Sequence, residues 1–70
     1  MEGLTTGRIV HYVSSGPLAR HLAAIVSRVD AEGTVTLHIF NPYLGDVVVE
    51  KDISYSANGD PGTWHWIERA

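Results

Sequence analysis

No cysteine occurs among the 70 residues, so neither a disulfide nor a thiolate metal centre can reinforce the fold. Long apolar runs are missing too. The longest, Leu22-Ala23-Ala24-Ile25-Val26, falls far short of the about 20 residues that cross a bilayer as a helix, so a soluble protein without a membrane partner is expected. The opening Met1-Glu2-Gly3-Leu4-Thr5-Thr6 has no basic segment leading into an apolar one, and therefore does not read as a signal peptide. Nucleophile elbows of the G-x-S-x-G type and phosphate loops of the G-x-x-x-x-G-K-[ST] and G-x-G-x-x-G types are absent. A non-catalytic protein with no cofactor is the expectation.

Charge is sparse, at 19% of residues, and leans acidic: 5 basic against 8 acidic side chains give a net charge of −3. The basic residues Arg8, Arg20, Arg28, Lys51 and Arg69 are scattered along the chain. Duplex nucleic acid is held mainly through phosphate contacts, so a broad basic face for it is excluded. Apolar residues reach 44%, and so few charges leave a solitary small domain short of solvated surface. Seventy residues build one core at most, and a chain this short without staples commonly gains stability by associating with copies of itself. A homo-oligomer is expected.

What is present alternates in the manner of strands. Arg8 to Val13 is rich in β-branched and aromatic residues and ends at the breaker Ser14-Ser15-Gly16-Pro17. Val35, Leu37 and Ile39 point one way, as a core face, while Thr36, His38 and Phe40 point the other. Asn41 to Asp46 is a loop, Val47-Val48-Val49 a strand continued by Ile53 and Tyr55 after the charged interruption Glu50-Lys51-Asp52, and Thr63 to Ile67 the closing strand. The segment Leu18 to Val29 reads two ways. A strand over Ala23 to Val29 would pair with the next strand through the turn at Asp30-Ala31-Glu32-Gly33, but Leu18, Leu22, Ile25, Val26 and Val29 also share a helical stripe that Pro17 could start. Together these segments predict a single mainly β domain over residues 1–70, with 1–6 flexible: a small five-stranded, SH3-like or OB-like partly open barrel.

Candidate chemistry is modest. His11, His21, His38 and His65 are numerous for this length, yet no H-E-x-x-H or close pair occurs, so packing is favoured over a metal site and none is expected. Trp64 and Trp66 share a face of the last strand, as a core or interface anchor or as a stacking platform aided by Tyr43 or Tyr55. Arg8, Arg20 or Arg28 would neutralise phosphate there, and Tyr55, Ser56 or Asn58 would bond a sugar. Turn formation accounts for Asn58 and Asp60 equally well.

Gly7-Arg8-Ile9-Val10-His11-Tyr12-Val13, Ala23-Ala24-Ile25-Val26, Val35 to Phe40 and Pro61-Gly62-Thr63-Trp64-His65-Trp66 together resemble a family of short uncharacterised proteins of tailed bacteriophages and prophages. Similar sequences often carry a proline before the Ala-Ile-Val segment, which favours a strand; this chain has Ala23 there. The resemblance transfers no catalytic residue. It implies a viral protein acting in the host bacterial cytoplasm or in the virion. Small viral oligomers include proteins that sequester cyclic or modified nucleotide signals between subunits to counter host anti-phage defence. They also include virion accessories and inhibitors that dock on a host protein.

Overall fold

The computed structural model describes residues 2–16 and 19–67. Its elements are β1 (Ile9–Val13), β2 (His21–Val29), β3 (Val35–Asn41), β4 (Asp46–Ile53) and β5 (Trp64–His65). They form one antiparallel sheet in the order β4-β3-β2-β1-β5, which does not close, and no helix occurs among the described residues.

The ambiguous second segment is a strand from His21 onward, and the helical alternative is overturned there; Pro17 and Leu18 lie outside the described residues. The reason is position. β2 is central, pairing with β1 on one side and β3 on the other, so both rows of its backbone groups are satisfied by neighbours. Its burial follows period two, with Leu22, Ala24 and Val26 buried and His21 and Ala23 exposed. The stripe Leu22-Ile25-Val26-Val29 is therefore split between two faces.

The inner face carries the core: Val10 and Tyr12 from β1, Leu22, Ala24 and Val26 from β2, Val35, Leu37 and Ile39 from β3, Ile53 from β4 and Trp64 from β5. Leu4 and Trp66 pack against it. Leu4 thus ties the opening residues to the body of the fold, and the Gly7 N–H reinforces the tie by donating to the Val26 carbonyl at 2.7 Å. Each fully buried aliphatic side chain contributes roughly 1.5–3 kcal/mol.

Two irregularities adjust the register. Across β3–β4, Leu37 faces Glu50 while Val35 faces Ile53, so β4 carries one residue more than β3 over this stretch. Asp52 absorbs the surplus at φ 56°, a left-handed conformation that Asp tolerates better than most residues. The charged interruption Glu50-Lys51-Asp52 is consequently a bulge within a continuous strand, and it turns Ile53 inward. The second shift falls between Val26 and Arg28 on β2.

The turns have local causes. In the β2–β3 turn the Gly33 N–H donates to the Asp30 carbonyl at 3.0 Å and the Asp30 N–H to the Thr34 carbonyl at 2.9 Å, with Gly33 at φ 90°. In the β3–β4 turn the Asn41 side-chain oxygen accepts from the Tyr43 and Leu44 N–H groups at 3.0 and 3.2 Å. After β4, Tyr55 makes an isolated parallel bridge to Trp64, with the Trp64 N–H donating to the Ser54 carbonyl and the Ser56 N–H to the Trp64 carbonyl. The closing strand is shorter than the sequence suggests, because regular pairing covers only Trp64 and His65.

Candidate functional site

Side-chain alternation sends His11, His21 and His65 to the outer face of the sheet, opposite the core. Register does the rest: His11 pairs directly with His65 across β1–β5, and β1 meets β2 with Val13 opposite His21. The three rings meet edge to face, with centroids 6.2 Å apart for His11–His21, 5.6 Å for His11–His65 and 4.9 Å for His21–His65. One nitrogen from each lies within 4.8 Å of the other two. The cluster runs from buried His65 through half-buried His11 to exposed His21, so it opens to solvent on one side. Gly59 closes in on His21: a Cβ there would lie 3.8 Å from the imidazole Cε1. Imidazole supplies a lone pair suited to divalent transition metals.

Beside the cluster, the same outer face carries an apolar band. Ile9 pairs with Ile25, Ile25 with His38 and His38 with Val49, forming one row across four strands. Phe40 and Val47 form the adjacent pair. Ile9, Phe40, Val47 and Val49 remain 56%, 41%, 54% and 49% exposed. Within the row, Ser27 Oγ and His38 Nδ1 share a hydrogen bond. β4 is also a sheet edge, which leaves one side of its backbone without a strand partner among the described residues, although Glu50 and Lys51 place charge on that edge.

A shallow groove of about 210 Å³ opens on the other side of the sheet, with Tyr12, Ser15, Leu22, Asn41, Val48 and Glu50 among its walls. Pockets that enclose small molecules are commonly ~300–1,000 Å³. Burial, with Glu50 nearby, pushes the Tyr12 phenol above its usual 10.0; a hydrogen bond with Ser15 opposes the shift.

The residues singled out from sequence fall into separate places. Trp64 is 0% exposed, so its ring belongs to the core and no ligand can stack on it. Its indole Nε1 is buried with no hydrogen-bond partner among the described residues. Trp66 does lie beside it, edge to face at 5.1 Å, and Arg8 stacks over Trp66 at 5.4 Å. Tyr55 packs on Trp64 at 5.0 Å. Arg20 sits 3.8 Å above the Tyr43 ring, and its N–H donates to Ser14 Oγ at the rim of the groove. Arg28 pairs with Asp30 at 3.0 Å. Ser56 donates to Asp60 at 2.6 Å, and Asn58 lies in the same turn. Arg8 with Trp66 and Arg20 with Tyr43 are thus brought together as pairs, but the nine residues do not converge on one pocket. Nor do His11 and His38 meet, because β2 stands between their strands.

Comparison with known proteins places the chain beside none of them: no family model, curated protein or solved structure matches it.

Proposed function

We propose that this chain is a non-catalytic binding module that works as a homo-oligomer, with the outer apolar band as its subunit contact. The single observation that carries the reading is the continuous row Ile9-Ile25-His38-Val49 with Phe40 and Val47 beside it, exposed but for half-buried Ile25, on a sheet that no helix covers among the described residues. Antiparallel sheets commonly keep one face polar and solvated. An apolar second face marks a surface that meets another protein, and a second copy is the partner that also meets the stability needs of so short a chain. Facing bands would pack as two sheets do in a sandwich, about 10 Å apart. We read the sheet as an SH3-like partly open barrel; the Tyr55–Trp64 bridge, which joins the segment after β4 to the opposite edge strand, supports this.

Sedimentation equilibrium of Val49→Lys against the parent chain tests the contact. The parent is expected to sediment as an oligomer and the variant as a monomer that keeps its β-type circular dichroism. Identical masses for both would count against the band as the contact.

One observation favours a second reading, in which the oligomer takes a compact anionic, nucleotide-derived ligand. Arg20 over Tyr43 joins a guanidinium and a phenol ring, a pairing suited to a phosphate and a planar base, and the Arg20 backbone N–H donates to Ser14 Oγ in the groove wall. Glu50 inside the groove opposes a phosphate there, so the anion would sit at Arg20 rather than deeper. A thermal-shift screen with cyclic di- and trinucleotides and ADP-ribose tests this reading. Stabilisation that disappears in Arg20→Ala supports it, and no shift with any of them removes it.

A further inference from the structure

From the outer-face histidine cluster, we infer that His11, His21 and His65 form a binding site for a divalent transition-metal ion of the Zn²⁺ type. Each residue comes from a different strand, and each contributes one nitrogen to a set in which all three lie within 4.8 Å of one another. A tetrahedral Zn²⁺ with Zn–N bonds of about 2.0–2.1 Å holds its ligand nitrogens roughly 3.3–3.4 Å apart, and the ring centres then lie roughly 5 Å apart. The observed centroid separations of 4.9, 5.6 and 6.2 Å bracket that arrangement from just under to about an ångström wide. The widest involves His21, the most exposed of the three. The other two sit on paired strands in direct register, so the backbone fixes their spacing before any ion arrives.

The ligand set speaks for the metal class. Three imidazoles with no thiolate favour Zn²⁺, Cu²⁺ or Ni²⁺ over Ca²⁺ or Mg²⁺, which prefer oxygen. Three protein nitrogens leave the fourth tetrahedral position to water or to a donor outside the trio. The site lies within one chain, and none of its three ligands belongs to the row Ile9-Ile25-His38-Val49 or to the Phe40–Val47 pair, so Val49→Lys on the far edge strand tests the subunit contact without removing a ligand. Edge-to-face ring packing alone would also hold three histidines together, and the experiment separates the two roles.

The tag-free full chain is titrated with Zn²⁺ by calorimetry in a non-chelating buffer, and with Co²⁺ by visible absorption. One ion per chain is expected, with the intense bands of tetrahedral Co²⁺. Binding is expected to weaken at least tenfold in His21→Ala and in His11→Ala, to stay unchanged in His38→Ala, and to fade on acidification, because protons compete for the same lone pairs. His21 is exposed, so its removal tests the site without threatening the fold. Absence of binding by the parent, undiminished affinity in His21→Ala, or an equal loss in His38→Ala would overturn the assignment.

Discussion

His11 and His65 stand directly opposite each other across the β1–β5 pair, their rings perpendicular at 89° and 5.6 Å apart. This contact adds a side-chain tie to the backbone pairing that holds β5, the shortest strand and a sheet edge, against β1. An ion held by His11, His21 and His65 would therefore clip three strands together. Zn²⁺ at 100 times its dissociation constant is expected to stabilise the fold by ~2.7 kcal/mol, or roughly 10–20 °C in melting temperature for a domain of this size. Differential scanning calorimetry with and without EDTA reads this, and the shift should vanish in His21→Ala.

Trp64 is the largest fully buried side chain and touches Tyr55 and Trp66 edge to face. Trp64→Ala would leave a cavity and is expected to cost about 3–5 kcal/mol in urea unfolding. Trp64→Phe should cost less, since it keeps a ring in the core and also removes an indole N–H that lacks a partner.

Tyr12 gives the fold a dependence on alkaline pH. Its phenol pKa is raised in the folded protein, first by burial and then by Glu50, so above 10.0 the unfolded chain loses this proton more readily than the folded one. The stability associated with Tyr12 is fully present below pH 10.0 and declines as the pH rises through the folded-state pKa. Chemical unfolding measured between pH 8 and pH 11, values on the order of the ordinary phenol range, should show a steeper alkaline loss for the parent than for Tyr12→Phe.

Gly33 holds φ 90° in the turn between β2 and β3, with open space where a Cβ would project. Gly33→Ala is accordingly expected to destabilise by about 1 kcal/mol or more through backbone strain alone. Urea denaturation checks this, and a Gly33→Asn variant should recover part of the loss because Asn enters the left-handed region more readily.

Strands whose period-two pattern coincides with burial were legible from sequence. Val35, Leu37 and Ile39 alternate with Thr36, His38 and Phe40, and the former are buried. β2 was ambiguous because alanines and valines satisfy both periods, and only its central position decides the outcome. The bulge at Asp52 was hidden as well, since a charged triplet looks like an interruption until pairing shows that the strand runs through it. The histidine cluster was beyond local reading. His65 lies far along the chain from His11 and His21, and only the pairing of β5 with β1 unites them. Alternation on the first strand set His11 apart from Val10 and Tyr12, but the second strand read from sequence began at Ala23 and left out His21, where β2 starts. For the candidate ligand residues, residue type suggested stacking and charge neutralisation, but burial sends Trp64 to the core, and local partners engage Arg28 and Ser56.

Native mass spectrometry of the parent chain at micromolar concentration tests most directly whether the exposed outer band joins copies of this protein. A dimer or larger closed assembly of one defined size is the predicted result. A folded, stable monomer across the whole concentration range would contradict it.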